Sequence, residues 1–521
     1  MHQVSDRFGT RLGGLCRSLI GFPGLSGVFF MLAFLFALWA PALTRLNINI
    51  LNDSDTCWLI KTGEWILSHG ALPATNPFSA GIASLAAVPI VCYQWLFEVA
   101  LALAFRAAGL HGVVLLIAAI FGLTFVILVR WLYRKGFASV PDIVLSGAFA
   151  LAGLAPFAIA RPMSWSLILT ALLMALFSRD HGGSRAPWRR RWIFLPLLFL
   201  VWANTHLGFL PGLAILAVYC AAQAIAVRQW QPMALWALCA LATLVNPYGA
   251  TLYSYFAQLA DSPYMNQSIM ELKSPAFHLE PSRLALYVTP VIAAVFRGGD
   301  PRLRAADRVL LALTFPLALL SLRHYYLFAL AGLPFVASAV SGVAGAIRQA
   351  WARRTPAGAN GPALFSGFSL ENDKPALFIA LILAMGLILA NVRAFPASFP
   401  FSAAFAGAFA YLRDHPPPGL VISRPHVGSY LLWSNLKTRG ILDSRMDMYG
   451  DRWSAASQNA FWFLPGWESY ARRHGVVAWV FTREDLSGAQ CEFPAKPLRV
   501  AYHDKSMCVV LLQPRAKDQS P

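Results

Sequence analysis

Long apolar runs separated by short basic loops recur across residues 27–393. A run that water cannot solvate must be buried in lipid or protein, and about 20 apolar residues cross a bilayer as one helix. Of the 521 residues, 57% are hydrophobic and only 13% are charged, with a mean hydropathy of +0.55. A soluble chain of this size carries roughly a quarter charged residues. The pattern predicts an α-helical polytopic membrane protein.

The loops set the direction of each run. Arg7, Arg11 and Arg17 precede the first run, residues 27–43, which places the N-terminus in the cytoplasm. Residues 93–110 contain Glu98 and Arg106 and read as a helix in the interface or packed on the bundle. The runs 111–132, 140–156, 163–177, 192–204, 207–227, 233–245, 284–296, 309–322, 325–347 and 375–392 then alternate in direction. Their inward ends carry Arg130, Arg134 and Lys135, then Arg228, Arg297, Arg302, Arg304 and Arg308, and finally Arg348, Arg353 and Arg354. That makes about eleven transmembrane helices, several shorter than a full span. The net charge of +18 is explained by these loops, and with no basic helix or stacking module there is no nucleic-acid partner. The first run lacks a small-residue cleavage site, so no cleavable signal peptide is expected.

Near residue 397 the composition changes. Strand patterns at 419–423, 439–443, 476–482, 498–502 and 507–512 alternate with helical ones at 401–415, 429–435 and 467–474. We therefore divide the chain into a transmembrane domain, 1–396, with a first outer loop over 45–110, and a small soluble α/β domain, 397–521, outside the cytoplasm. None of the seven cysteines forms a CxxC pair, so no thiol metal site is expected. Cys57 with Cys92, and Cys491 with Cys508, lie close enough in sequence for bridging to stay open.

The topology brings Asp53, Asp55, Arg161, His206, Asn246, Arg323 and His324 to the non-cytoplasmic face, from five different loops. Asp55 or Asp53 suits a general base at a dry boundary. Asp53 and Ser54 equally suit capping of a helix that starts near Thr56. Arg161 and Arg323 suit a phosphate, which guanidinium forks hold well, or interfacial snorkelling. His206 suits a hydrogen bond to substrate or phosphate, or a packed ring bonded to a backbone group; His324 and Asn246 join it as candidates for the substrate phosphate, and both histidines are too isolated for metal ligands. Asn246 opens a turn former, Asn246-Pro247-Tyr248-Gly249. The segment from Asp443 through Arg445 and Asp447 to Asp451 is the densest polar cluster of the tail; it follows a strand pattern, where α/β folds place ligands, and reads as that or as a polar turn with an Asp–Arg pair.

Asn52-Asp53-Ser54-Asp55, then Gly63-Glu64-Trp65-Ile66-Leu67, Leu72-Pro73 and the helix entry Tyr93-Gln94-Trp95-Leu96 resemble the GT-C membrane glycosyltransferases. So do the many spans and the soluble tail. Where some members carry Lys-Pro-Pro, this chain reads Ala87-Val88-Pro89-Ile90. The resemblance implies transfer of a sugar from a polyprenyl-phosphate carrier to a lipid, glycan or protein of the cell envelope. It implies a bacterial inner membrane, Asp53 or Asp55 as base, and Arg161 and Arg323 on the carrier phosphate. Most members need no metal, although the oligosaccharyltransferases do, and no cofactor is expected here. A flippase or transporter is the rival reading, and a non-catalytic membrane scaffold the third. A transporter would call for charges at mid-membrane and repeated halves; the ionisable residues lie at span ends instead.

Overall fold

The structure, a computed structural model, describes residues 32–38, 49–78, 87–177, 186–278, 281–354, 397–399, 402–434, 439–488 and 498–513. Of the first expected run, residues 32–38 are described and are helical. The last run, 375–392, and Cys16 and Cys491 lie outside the described residues.

The first outer loop contains a helix of its own, α1 (Asp55–His69), closed at Gly70. It packs along the first limb of α2 (Trp95–Arg134). α2 breaks helical geometry at Ala108 and Gly109. The break separates the limb that holds Glu98 and Arg106 from the expected span after it. α3 (Val140–Leu154) starts with a capping box between Ser139 and Asp142. α4 (Met163–Leu176), α5 (Ala186–Ala203), α6 (Phe209–Val227) and α7 (Gln231–Ala242) follow. Two short helices, α8 (Thr251–Ala260) and α9 (Pro263–Ser268), occupy the long polar connection. α10 (Pro281–Arg297), α11 (Ala305–Leu320) and α12 (Tyr325–Ala352) complete the bundle.

Each expected span within the described residues falls on a helix. Among the described residues four helical stretches are long and apolar enough to cross a membrane: Trp95–Arg134, Val140–Phe157, Phe209–Val227 and Leu322–Ala352. α12 is the central post, packed by α3, α10 and α11 and buried over most of its first half. Outward-facing apolar side chains ring the bundle; Ile225 and Phe296 are each 78% exposed, a surface suited to lipid rather than water. At the end of the bundle where α2 finishes, Lys135 Nζ meets Asp307 Oδ2 at 2.6 Å, buried, and Arg302 forks onto Asp300.

The tail forms a five-stranded mixed sheet. It comprises β1 (Leu420–Ser423), β2 (Arg439–Gly440), β3 (Val476–Thr482), β4 (Leu498–His503) and β5 (Met507–Leu512). The order is β2-β1-β3-β5-β4, parallel across β2, β1 and β3 and antiparallel across β3, β5 and β4. β1 is buried throughout, as a strand covered on both faces must be. α13 (Ser402–Asp414) leads in, α14 (Pro425–Trp433) crosses from β1 towards β2, and α16 (Trp467–His474) precedes β3. α15 (Met446–Phe461) was not expected from the sequence; its backbone breaks at Gly450. α14 lies against α1, and α15 lies against α9. The sheet unit therefore seats on the first outer loop and on the α7–α10 connection.

Candidate functional site

Asp53 and Asp55 flank the N-cap Ser54, whose own side chain makes no capping bond. Asp53 Oδ1 instead accepts the backbone N–H of Asp55 at 2.8 Å, which ties the two carboxylates together. Asp55 opens α1, and its Oδ1 accepts Trp58 Nε1 at 3.3 Å. One oxygen of each carboxylate is thereby fixed locally, and the other faces a guanidinium. Asp53 Oδ2 lies 3.1 Å from Arg161 Nε, and Asp55 Oδ2 accepts from Arg161 Nη2. The segment before α4 is pinned to the same loop: Ala160 N–H donates to Ile50 O at 2.8 Å and Thr56 Oγ1 to Ala160 O at 3.2 Å.

The third edge of Arg161 is taken by Glu271, a residue the sequence reading did not single out. Arg161 Nη1 donates to Glu271 Oε1, and Arg323 Nη2 donates to Glu271 Oε2 at 3.3 Å. Glu271 sits in a single 3-10 turn after α9. Its carbonyl accepts Ser321 Oγ at 2.9 Å, which locks that turn to the one holding Arg323. The result is a chain of alternating charge: two aspartates, Arg161, Glu271, Arg323. Each arginine fork is offset by carboxylates, as buried charge requires.

Burial sets the protonation of this chain. It pushes the Asp53 carboxyl up to about 7; Arg161 opposes the rise and Asp55 adds to it. Burial acts the same way on Glu271, but Arg161 and Arg323 outweigh it and hold that carboxyl below its ordinary value. His206, between α5 and α6, is driven down to about 3 by burial and by the charges of Arg323 and Arg161. It is a neutral ring.

The C-terminal unit supplies a further carboxylate. Asp447, in the first turn of α15, accepts Tyr255 Oη at 3.0 Å. Burial raises its pKa, and the charge of Asp55 raises it further. Glu98, fully buried on α2, is a fifth acidic group; its Oε2 has no hydrogen-bond partner among the described residues. A carboxylate inside an apolar run was the sequence signal for Glu98. Asp447 belongs to the dense polar cluster of the tail, and Glu271 carried no signal of either kind.

The remaining expected residues fall as follows. His324 ends the 3-10 turn before α12, next to Arg323. Asn246 serves its own turn: Nδ2 donates to Thr243 O at 2.8 Å, and Oδ1 accepts Tyr248 N–H at 2.8 Å. Tyr248 Oη then accepts Cys92 N–H, so the turn positions the entry to α2. Cys57 and Cys92 are both free and buried, on α1 and before α2, so the bridge left open between them does not form. The Asp443–Arg445 pair is bidentate, as the polar-turn reading anticipates, and Tyr449 Oη donates to Asp443 as well. Among the described residues no group of His, Cys, Asp and Glu is arranged to hold a metal ion. The carboxylates that come nearest, Asp53, Asp55 and Glu271, are all bonded to Arg161. That donor set as arranged does not fit a divalent cation; the guanidinium supplies the positive charge between them.

No protein-family model matches the chain, and no curated protein matches it. Solved structures do. The oligosaccharyltransferase of Archaeoglobus fulgidus, tethered to an acceptor peptide, is 13% identical with a TM-score of 0.56, over 88% of this chain and 69% of that one. The archaeal oligosaccharyltransferase AglB of the same organism, in complex with an inhibitory peptide and a dolichol-phosphate, is 12% identical with a TM-score of 0.56 over the same shares. ArnT from Cupriavidus metallidurans is 12% identical with a TM-score of 0.46, over 93% of this chain and 97% of that one. The chain has the GT-C fold, a polytopic helical bundle with a small sheet.

Proposed function

We propose that this chain is a membrane glycosyltransferase. It moves a sugar from a polyprenyl-phosphate carrier to a lipid, glycan or protein acceptor on the non-cytoplasmic face of a bacterial inner membrane. One observation carries the reading: Asp53, Asp55 and Glu271 converge on Arg161, with Arg323 on the far side of Glu271. Carboxylates that can take a proton lie beside guanidinium forks that can take a phosphate. The oligosaccharyltransferase of like fold is held with a dolichol-phosphate, which supports a lipid-phosphate donor here too.

The acceptor hydroxyl oxygen attacks the anomeric carbon, and the bond from that carbon to the carrier phosphate breaks. The phosphate leaves with the electron pair, in line and with inversion. Asp53 or Asp55 takes the hydroxyl proton. Asp53 is the better poised, because burial brings its carboxyl near a working pH. Arg161 and Arg323 offset the charge that grows on the leaving phosphate. Arg161 must release a carboxylate to do so. Glu271, already shared with Arg323, is the partner that yields. The division at residue 396, the cytoplasmic N-terminus and the outer tail belong to the same reading. The test is sugar transfer by membranes that hold the double variant Asp53→Asn, Asp55→Asn. Transfer at the normal rate would end this assignment.

A further inference from the structure

Ser166, in the first turn of α4, is held between two rings. Trp202 Nε1 donates to Ser166 Oγ at 2.8 Å, and that oxygen lies 2.6 Å from His206 Nδ1. The backbone N–H of Gly208 also points at His206 Nδ1, at 3.1 Å. A backbone N–H only donates, so Nδ1 accepts and the ring proton belongs on Nε2. The Ser166 hydroxyl, already accepting from Trp202, gives its own proton to the same Nδ1. Among the described residues nothing bonds to Nε2.

The chain is built tightly around this arrangement. A Cβ on Gly208 would lie 2.0 Å from Ser166 Oγ and 2.9 Å from His206 Nδ1, so no side chain fits there. That close approach brings the Gly208 N–H to the ring. Ser166 follows Arg161 by five residues, and Ser164 Oγ, between them, bonds Arg161 O at 2.9 Å. Ser166 thus ties the ring to the start of α4, just after Arg161 in the chain. Beside two arginines a third cation would be opposed, and the environment keeps the ring uncharged.

We propose that His206 is an uncharged hydrogen-bond donor, locked in its Nε2–H form, that contacts the carrier phosphate. Ser166, Trp202 and Gly208 are its positioning residues. The proposal rests on the reading of this site as a transfer centre for a polyprenyl-phosphate-linked sugar. An uncharged donor satisfies a phosphate oxygen without adding to the attraction that the product phosphate must escape. His206 is not an acid or base in the reaction, because its ring stays neutral throughout the working range of pH.

The test uses the full chain in lipid nanodiscs with polyprenyl phosphate as probe. His206→Ala weakens its binding by about tenfold, the scale of one hydrogen bond to a charged group. His206→Gln, whose amide can both accept and donate, binds within about threefold of wild type. Nitrogen-15 histidine spectra, assigned by difference against His206→Gln, show a bare Nδ1 and a protonated Nε2 that do not titrate between about pH 5 and 8. Unchanged binding by His206→Ala, an Nδ1–H ring, or titration in that window overturns the proposal. Two failures are separable. Loss of transfer in the aspartate variants with no binding effect of His206→Ala sinks this proposal alone. Binding that depends on His206 in a chain that transfers no sugar sinks the transferase reading alone.

Discussion

Arg445, in the C-terminal sheet unit, donates from Nη1 to Asn76 Oδ1 in the first outer loop at 2.9 Å. The guanidinium also lies over the Phe78 ring, 5.0 Å from its centroid. Asn76 is held in turn by the backbone: its N–H donates to Val88 O at 3.1 Å, across the stretch Ala87-Val88-Pro89-Ile90. The acidic loop and the tail are thus one docked structure. Arg445→Ala leaves Asp443 buried without its counter-ion, which costs about 3–5 kcal/mol. We expect a lower midpoint of thermal unfolding in detergent, read from the C-terminal tryptophans. Replacing Asp443 and Arg445 together by apolar residues of similar volume is milder.

The same pair gives a pH expectation. Burial alone would raise the Asp443 carboxyl, but Arg445 and its hydrogen bonds hold it below the ordinary carboxylate value. A carboxyl lowered on folding contributes stability that is complete above its unfolded value and is lost as pH falls through the folded one. Docking of the tail therefore stays constant near neutrality and weakens only in acid. Unfolding midpoints that fall between pH 8 and pH 6 in wild type, but not in the apolar double variant, would contradict this.

Arg161→Lys keeps one positive charge but cannot fork onto two aspartates and Glu271 together. Loss of a preorganised donor of this kind lowers turnover by about 10²–10³-fold. Glu271→Gln keeps the turn and removes the charge that competes with a phosphate. Binding of polyprenyl phosphate should tighten in that variant while transfer does not improve. Weaker binding by Glu271→Gln would show that Glu271 does not yield to the donor.

The rate of transfer should depend on pH through Asp53. Burial raises this carboxyl to about 7, so its basic form is lost below that value. The expected kcat/KM climbs tenfold per pH unit in acid and flattens near pH 7. Asp53→Asn removes the limb together with most of the rate. A limb that persists in the Asp53→Asn variant would move the base to Asp55.

Much of this was legible in the sequence, for identifiable reasons. Loop charges alternate with the spans, which puts Asp53, Asp55, Arg161, His206 and Arg323 at one end of the bundle; in the structure Arg161 meets both aspartates, and Glu271 joins it to Arg323. Strand patterns in the tail were clear because β1 and β3 are almost wholly apolar. α15 was not legible: Met446-Asp447-Met448-Tyr449-Gly450 mixes polar residues with a glycine at φ 72°, and the helix breaks there. Glu271 was lost with it. Its connection is held from outside, by Tyr255 on Asp447, Ser262 on Asp451 and Tyr264 on Gln458. No local pattern in residues 246–283 encodes those bonds. Asn246 bonds within its own turn, and a turn-forming asparagine looks the same in sequence as a ligand-binding one.

Gly63 offers the sharpest test of how the acidic loop is positioned. A Cβ there would lie 2.0 Å from Glu98 O and 2.8 Å from the Ala102 side chain. α1 and α2 touch backbone to backbone at this residue, eight positions after Asp55. Gly63→Ala cannot be absorbed by a rotamer change, because the clash is with main chain. Overpacking of this kind costs about 1–3 kcal/mol, and the helix that carries Asp55 must lift from α2 to relieve it. We expect a modest fall in the unfolding midpoint and a much larger fall in transfer, since about 1 Å of misplacement can cost 10²-fold. A Gly63→Ala protein with wild-type transfer would show that the seat of α1 on α2 does not set the position of the carboxylates.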